Sequence, residues 1–231
     1  MELSKRLNAV AGLVTEGASV ADIGTDHGYI PIYLIKHGIS DKVIAMDINR
    51  GPLKRAREHI GEEGLAEQIE TRLSDGMEAL HPGEVEEIIT AGMGGGLVIK
   101  ILTDHPEVTE SLTYGILQPQ SEIHKVREFL NTQGYRIVEE DMVKEDGKYY
   151  PMMKVLLEQG EGETYRKIDY LYGKRLLEKK HPVLYEYLQR EYRIKSEIQE
   201  NLQKQKNERI ESRLRELEEE LELIREAMQM F

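Results

Sequence analysis

The sequence predicts an α/β fold with a mostly parallel β-sheet, followed by an all-helical extension. Five short apolar runs alternate with helical segments between residues 18 and 134, and this alternation is typical of βαβ units that pack helices on both faces of a sheet. Two more strand-like runs, joined at Asp146-Gly147, predict an antiparallel hairpin that brings the sheet to seven strands. After residue 163 the chain has only one glycine and one proline, so we expect helices there.

The elements before the hairpin follow one another in a regular order. A leading helix over residues 3–14, capped by Ser4, is predicted because apolar residues recur there at helical spacing. The predicted strands cover residues 18–24, 42–48, 69–75, 86–93 and 113–119. The predicted helices cover residues 29–38, 52–64, 76–80, 95–105 and 121–134.

The extension is separated from the sheet by the glycine-rich segment QGEGE at residues 159–163. Such a polar segment is typical of a linker between domains. We therefore predict a sheet domain of residues 1–160 and an α-helical coiled-coil domain of residues 161–231.

The helices of the extension can be placed from their breaks and their apolar stripe. One helix is expected over residues 164–180, ending before His181-Pro182, where a long second stretch begins. The apolar residues with heptad spacing near the end of the chain are Ile210, Leu214, Leu217, Leu221, Ile224 and Met228. This stripe predicts an antiparallel helical hairpin that turns near residues 203–208, or alternatively a dimeric coiled coil.

The composition excludes several kinds of chemistry. The chain has no cysteine, which excludes disulfides, thiolate metal sites and cysteine nucleophiles and favours the reducing cytoplasm. No apolar run approaches the roughly 18 residues needed to span a bilayer, so we expect a soluble protein without a membrane partner. The histidines lack metal-ligand spacing, so no metal is expected.

The charge of the chain is unevenly distributed. The formal net charge of −12 argues against a nucleic-acid partner. Residues 1–163, however, carry 16 basic and 29 acidic side chains, whereas residues 164–213 carry 13 basic and 8 acidic ones. An acidic domain therefore carries a locally basic extension, although such a run is also typical of a solvated helix face.

Acidic residues end three consecutive predicted strands. Asp22 and Gly24 close the first strand, Asp47 closes the second, and Asp75 closes the third. Because ligands bind at the carboxyl ends of parallel strands, an acid there can accept hydrogen bonds from ribose hydroxyls or an adenine amino group. The three acids together predict a cofactor that contains a nucleoside.

The loop after the first strand favours a cofactor without phosphates. Its pattern D-x-G-x-D-x-G, from Asp22 to Gly28, departs from the dinucleotide pattern G-x-G-x-x-G. The extra acid, Asp26, would repel a pyrophosphate. S-adenosylmethionine has no phosphate and carries a sulfonium and an amino group, so an acidic site suits it.

Residues 19–157 resemble a known family. They contain VADIGTDHGYIPI, AMDIN, LSDG, AGMGGG and LQPQSE in that order, and they are similar to the class I S-adenosylmethionine-dependent methyltransferases, more narrowly to the bacterial tRNA (adenine-22-N1)-methyltransferases called TrmK. The resemblance implies a Rossmann-like fold, an S-adenosyl-L-methionine cofactor and methylation of N1 of an adenosine in the D-arm of tRNA. The family pattern has asparagine where this sequence has Gln120. The cofactor-binding residues that it implies are Asp22, Gly24, Gly28, Asp47, Ile48, Asp75, Gly76, Gly92 and Met93.

The segment after the fourth strand agrees with a ring-nitrogen acceptor. It has glycines and Met93 where many amino-group methyltransferases have asparagine or aspartate followed by prolines and an aromatic residue. A ring nitrogen already has a free lone pair, so positioning can supply much of the rate. The same glycines are also typical of a tight turn between a strand and a helix, which is the alternative interpretation.

Three residues of the first loop are the candidates for catalysis. Asp26 could stabilise the positive charge that forms on adenine, or could instead bind the amino group of the cofactor. His27 and Tyr29 lie beside it as polar or stacking groups.

Contacts with RNA phosphates are expected outside the acidic pocket. The candidates are Lys5, Arg6, Lys54, Arg55, Arg57, Arg166, Lys167, Lys174, Arg175, Lys179 and Lys180. Two alternatives stay open: a methyltransferase of the same fold that acts on a small molecule or a protein, and a non-catalytic adaptor that binds the cofactor. The sequence leaves a monomer and a coiled-coil dimer undecided.

Overall fold

The computed structural model describes residues 2–204 and 208–231. The strands are β1 (Val20–Ile23), β2 (Val43–Asp47), β3 (Ile69–Leu73), β4 (Glu87–Gly94), β5 (Tyr114–Ser121), β6 (Arg136–Glu145) and β7 (Lys148–Leu156). The helices are α1 (Lys5–Ala11), α2 (Tyr29–Lys36), α3 (Arg50–Glu62), α4 (Gly95–Asp104), α5 (Pro106–Thr109), α6 (Ile123–Thr132), α7 (Lys167–Tyr172), α8 (Lys174–Glu178), α9 (Pro182–Gln203) and α10 (Glu208–Met228).

The seven strands form one sheet in the order β3-β2-β1-β4-β5-β7-β6. Strands β1 to β5 pair in parallel with one another, and β7 runs antiparallel to both β5 and β6. The strand order reverses between β1 and β4, and ligands of open α/β sheets bind at such a reversal, beyond the carboxyl ends of the strands. The predicted fold, including the closing hairpin, is confirmed.

The central strands are buried on both faces. Alternate residues of β1 and β2 enter two different apolar clusters, with Ala21 and Ile44 in one and Val20 and Val43 in the other. A strand covered on both sides has no solvent-facing side, which explains why these strands read as continuous apolar runs. A polar side chain at the end of such a strand is therefore held beside the core.

The cap predicted for the leading helix is present, whereas the short helix predicted after β3 is not. The Ser4 hydroxyl accepts a hydrogen bond from the Leu7 amide at 3.3 Å and caps α1, as predicted. The predicted helix over residues 76–80 is wrong, because that segment forms turns. The Ser74 hydroxyl donates to the Gly76 carbonyl and accepts from the Ala79 amide, so the side chain replaces the bonds of a helical turn.

The single helix predicted over residues 164–180 is also wrong. The chain breaks at Gly173, whose φ of 94° and ψ of 116° lie outside the helical region, and this separates α7 from α8. A glycine adopts such a positive φ without the steric penalty of a side chain. The predicted break at His181-Pro182 is confirmed, with Pro182 in the first turn of α9.

The chain divides into two compact units, Met1–Glu163 and Thr164–Phe231. In the second unit α9 and α10 pack against each other in antiparallel directions. Lys195 pairs with Glu220, and Tyr192, earlier in α9, accepts a hydrogen bond at 3.2 Å from Arg225, later in α10. Leu217, Leu221 and Ile224 of the heptad stripe are buried. Part of the predicted turn near residues 203–208 lies outside the described residues, and the coiled coil stays a prediction.

No helix in the described part of the chain is long and apolar enough to cross a membrane.

Candidate active site

A cleft of about 420 Å³ opens beyond the carboxyl ends of β1 and β4. One wall is the loop from Asp22 to Tyr29, and the floor is the end of β4 at Ala91–Met93. The opposite wall comes from α1, through Arg6 and Leu7, and from Gln120 at the end of β5. The cleft therefore lies at the reversal of strand order.

Asp22 is the deepest charged group of the cleft. Its side chain is only 4% exposed. Burial raises the pKa of the Asp22 carboxyl to about 6, while Thr25 opposes the rise and the nearby Asp47 carboxylate adds to it. An ionised carboxylate in this place is stabilised by a ligand that carries positive charge.

The three acids lie at the carboxyl ends of neighbouring strands, because the sheet order runs β3-β2-β1, with Asp22 and Asp47 in β1 and β2 and Asp75 two residues beyond β3. The Asp47 carboxylate accepts a hydrogen bond from the Asn49 amide at 2.7 Å, and the Asp75 carboxylate lies 3.8 Å from the Lys100 ammonium. Asp47 and Asp75 lie beside the cleft rather than in its lining. The arrangement can bind a ligand that extends from Asp22 across β2 to β3.

Apolar side chains are exposed along the same edge. Ile48 follows β2, Leu73 ends β3, and Leu97 lies in the first turn of α4; all three are large and exposed. Exposed apolar surface of this kind is suited to the faces of a flat ring. Ile48 is among the residues predicted from the sequence, whereas Leu73 and Leu97 are not, because no short motif marks them.

The loop after β1 lies against β2 and β4. The Gly24 and Thr25 amides both donate to the Met46 carbonyl, at 2.8 and 2.9 Å. Gly24 has a φ of 76°, and a Cβ there would overlap the Met93 methyl group. Because Gly24 has no side chain, the Met93 side chain can lie against it at the floor of the cleft.

Asp26 lies at the rim of the cleft, in a left-handed backbone conformation with a φ of 44°. Its side chain is 62% exposed, and its carboxylate pairs with the Arg55 guanidinium at 3.0 Å. The His27 imidazole Nε2 lies 3.6 Å from the same carboxylate. The structure thus separates a buried acid, Asp22, from a solvated acid that already has a cationic partner.

Three rings lie nearly parallel beside Asp26. The His27 and Tyr29 rings are 5.1 Å apart with an angle of 9° between them, and the His59 ring lies 5.6 Å from His27 and 5.7 Å from Tyr29. His59 Nδ1 lies 2.9 Å from the His27 carbonyl oxygen. Because a carbonyl oxygen only accepts, that nitrogen carries the proton and donates it.

One face of α3 holds this loop. Arg55 and His59 are four residues apart and therefore lie on the same face of the helix. A Cβ at Gly28 would lie 3.3 Å from the Ala56 Cβ, so the backbone of the loop approaches α3 closely. Arg55 was expected to contact RNA and His59 had no predicted function, because their partners lie 29 and 32 residues earlier in the chain.

Gln118 organises the opposite wall. It is fully buried, and its side-chain oxygen accepts from the Arg6 guanidinium at 2.9 Å and from the Gly92 amide at 3.1 Å. The Arg6 guanidinium also lies over the Tyr150 ring, 5.6 Å from its centroid. Arg6, expected to contact RNA phosphates, therefore lies in the cleft, and Gln118 was missed although the motif LQPQ contains it.

The other cations proposed for RNA in the first unit differ in their surroundings. Lys5 is exposed. Lys54 lies 3.7 Å from Glu58, and Arg57 donates to the Thr71 hydroxyl at 2.6 Å.

The extension carries six candidate cations. Arg166 pairs with Asp169, and Arg175 with Glu178, at 2.8 and 2.9 Å. Lys174 lies over the Tyr165 ring, and Lys180 lies 3.4 Å from the Phe231 carbonyl oxygen. Lys167 and Lys179 are exposed.

Among residues 2–204 and 208–231, no group of three or more histidine, aspartate or glutamate side chains is arranged to hold a metal ion.

Comparison with known proteins shows which protein family this chain matches. A model of the methyltransferase domain matches residues 3–153. The tRNA (adenine(22)-N(1))-methyltransferase of Bacillus subtilis (strain 168) is 32% identical over 234 residues, which cover 99% of this chain and 98% of the relative.

Solved structures show the same fold over nearly the whole chain. Streptococcus pneumoniae Sp1610 in complex with S-adenosyl-L-methionine has a TM-score of 0.86 at 30% identity, covering 98% of this chain and 100% of the other. M. capricolum TrmK in complex with S-adenosyl-homocysteine has a TM-score of 0.85 at 27% identity, covering 100% and 99%.

The close approach at Gly24 can be tested with a matched glycine. In Gly24→Ala the new Cβ drives the Met93 methyl group into the cleft, so we expect the affinity for S-adenosyl-L-methionine to fall about tenfold or more, which is about 1.4 kcal/mol. Gly38→Ala is the control, because Gly38 has a φ of 65° and no atom within 4 Å of its Cβ position. Both variants should lose a similar free energy of unfolding, about 1–2 kcal/mol. Calorimetric titration that shows equal affinity losses in the two variants would contradict the assigned role of Gly24.

Proposed function

Since the chain belongs to the methyltransferase-domain family and to the tRNA (adenine(22)-N(1))-methyltransferases within it, we propose that its cleft methylates N1 of adenosine 22 of tRNA. The cofactor is S-adenosyl-L-methionine. The observation that carries the proposal is the chain of acids Asp22, Asp47 and Asp75 across three neighbouring strands, beside a cleft floored by glycine and methionine.

The residues of the cleft fit this cofactor. A buried Asp22 suits a positively charged group, and the exposed Ile48 and Leu73 suit the faces of an adenine ring. Asp47 and Asp75 suit its ribose hydroxyls and amino group. When bound, the cofactor supplies an electrophilic methyl group on a positively charged sulfur.

The acceptor needs no base to begin the reaction. The N1 lone pair forms a bond to the methyl carbon as the carbon–sulfur bond breaks, and the positive charge passes to the adenine ring. A glycine at residue 92, with a φ of 86°, lets a flat ring approach the floor of the cleft. The Asp26 carboxylate at the rim is the anion best placed to stabilise the new cation.

The two acids have different roles in this proposal. Asp22 is buried at the base of the cleft and holds the cofactor, whereas Asp26 is exposed beside the His27 and Tyr29 rings and faces the acceptor base. Arg55 orients the Asp26 carboxylate, and His59 orients the loop through the His27 carbonyl. The rings of His27 and Tyr29 offer flat surfaces for stacking.

The extension is proposed to bind the body of the tRNA, and the protein to act in the cytoplasm, where tRNA is found. The exposed Lys167 and Lys179 support this assignment, since they can neutralise phosphates. This role requires no dimer, because each chain carries its own set of lysines.

The function is tested by incubating the purified protein with unmodified tRNA and labelled S-adenosyl-L-methionine. We expect one methyl group per tRNA, identified as 1-methyladenosine by nucleoside mass spectrometry and located at position 22 by a primer-extension stop. A tRNA with guanosine at that position is the matched control and should accept none. Label in another nucleoside, or in no nucleoside, would refute the proposal.

The pKa of Asp22 predicts how cofactor affinity depends on pH. The carboxyl titrates near 6 in the free protein, and a bound cation favours its ionised form. Binding therefore releases a proton at low pH, and the affinity should weaken by up to about tenfold for each pH unit below 6. In Asp22→Asn the affinity should be weak and independent of pH in calorimetric titrations between pH 5 and pH 8.

The raised pKa of Asp22 also predicts that removing its charge stabilises the free protein. Because the folded-state pKa of Asp22 is raised from 3.8 to about 6, folding favours the protonated form, and this contribution is lost as pH rises through 6. Asp22→Asn should therefore raise the free energy of unfolding of the free protein at pH 7.5, by up to about 3 kcal/mol. A variant that is both less stable and normal in binding would show that Asp22 has neither property.

The role of Asp26 is tested by separating chemistry from binding. In Asp26→Asn we expect the single-turnover rate of methyl transfer to fall about 100-fold, with the cofactor affinity changed less than about threefold, or 0.6 kcal/mol. Asp41→Asn is the control, since Asp41 is an exposed acid just before β2, at the amino-terminal ends of the parallel strands and so away from the cleft. Equal losses of rate and affinity in Asp26→Asn would instead assign Asp26 to the cofactor.

The role of the extension is tested in the full chain. We expect Lys167→Ala/Lys179→Ala to weaken tRNA binding and to reduce the slope of log affinity against log salt by about 2, since each lysine neutralises one phosphate. Lys36→Ala/Lys42→Ala removes the same charge from the edge of the sheet opposite the cleft and should leave the slope unchanged. If both double variants behave alike in filter binding, the extension does not hold the tRNA through these lysines.

A further inference from the structure

A second cleft, of about 260 Å³, opens between the end of β5 and the start of β7. Nothing in the proposed chemistry uses it. Its lining includes Pro119 and Gln120 of β5 and Lys148, Tyr149, Tyr150 and Pro151 of β7.

Two prolines explain why the sheet opens there. The antiparallel ladder between β5 and β7 ends at the pair Leu117 and Met153. Continued by two residues, the same register would place Pro119 opposite Pro151. Neither residue has an amide N–H to donate, so the ladder cannot continue with its normal hydrogen bonds. The second cleft is therefore set by the sequence of both strands.

The lining suits a nucleobase. Tyr149 and Tyr150 are among its lining residues, and stacking on tyrosine rings holds bases of any sequence. The Gln120 side chain can donate to and accept from the edge of a base. Lys148 is exposed and lies in the lining, so positive charge is present for a phosphate.

The second cleft adjoins the active-site cleft. Gln120 lines both. Arg6 lines the first cleft and lies over the Tyr150 ring of the second, while its guanidinium is held by Gln118. The second cleft lies between β5 and β7, and β5 is the neighbour of β4. The middle of the second cleft is therefore one and a half strand spacings from β4, or about 7 Å. One extended nucleotide spans such a distance.

We propose that the second cleft binds the base of a nucleotide next to the adenosine that is methylated. The inference rests on the proposed function, because the methylated base must itself reach the first cleft, where the strand-end acids hold the cofactor. Extruding that adenosine from a folded arm takes it out of its stack and leaves its neighbour unstacked. A stacking site one nucleotide away compensates for this loss and fixes the register of the RNA.

The experiment combines a protein variant with an RNA variant. Tyr149→Ala removes a stacking face, and Tyr149→Phe is the matched control that keeps the ring. With an RNA of the D-arm, Tyr149→Ala should raise the KM about tenfold, without changing the affinity for S-adenosyl-homocysteine, while Tyr149→Phe behaves like the wild type. Unchanged affinity for S-adenosyl-homocysteine also shows that the variant is folded.

The second half of the experiment uses RNAs that lack the base on either side of the adenosine. We expect one of these abasic RNAs to lose about tenfold in kcat/KM with the wild type but to lose nothing further with Tyr149→Ala, since the two changes remove the same interaction. Lys148→Gln, a second variant of the exposed start of β7, should raise the KM as well and reduce its dependence on salt.

The outcomes separate this inference from the proposed function. If the wild type methylates no adenosine in the intact RNA, the proposed function fails and the inference fails with it. If the wild type methylates adenosine 22 but the losses in Tyr149→Ala and in both abasic RNAs are additive, only the inference is overturned. A fall in kcat for Tyr149→Ala, without coupling to either abasic RNA, would also overturn it and would assign the second cleft to the methylated base.

Discussion

A carboxylate buried at the end of the central strand is the constraint on which the rest of the site depends. Asp22 lies one residue before the end of β1, between β2 and β4, where both faces of the sheet are covered and little water can solvate a charge. A group of this kind destabilises the free protein and favours a cationic ligand. Two other features also favour a positively charged ligand over a negatively charged one. The loop after β1 lacks the glycine pattern that binds phosphates, and the first unit is acidic. The site is thus prepared electrostatically for a sulfonium cofactor before any contact specific to adenine is made.

The other parts of the site place groups around this acid. The face of α3 that carries Arg55, Ala56 and His59 holds the loop in which Asp26 takes a left-handed backbone conformation. On the opposite side, Gln118 joins Arg6 to the Gly92 amide and so connects α1, β4 and β5. The acceptor base would therefore enter a space whose two walls are fixed independently of each other.

The sequence predicted the parts of this structure that depend on local pattern. Strands, helices and the closing hairpin follow from periodicity and turn residues, and the acids at three strand ends could be brought together because parallel strands point the same way. The wrong predictions occurred where a single residue decides between two local structures: Ser74 closes a turn where a short helix was expected, and Gly173 breaks a helix that composition alone favoured. Pairings across the fold were also beyond reach. Arg6 and Arg55 look like cations for RNA in the sequence, and only the fold shows that Gln118 and Asp26 hold them.

The most direct test of this account is the titration of the Asp22 carboxyl itself. Carbon-13 NMR of aspartate-labelled protein, assigned by comparison with Asp22→Asn, should show a carboxyl that titrates near pH 6 in the free protein. With saturating S-adenosyl-L-methionine the same signal should stay in its ionised position down to a clearly lower pH. A carboxyl that titrates near its ordinary value of 3.8 in the free protein, or that is unaffected by the cofactor, would contradict the claim that a buried, cation-seeking acid organises the site.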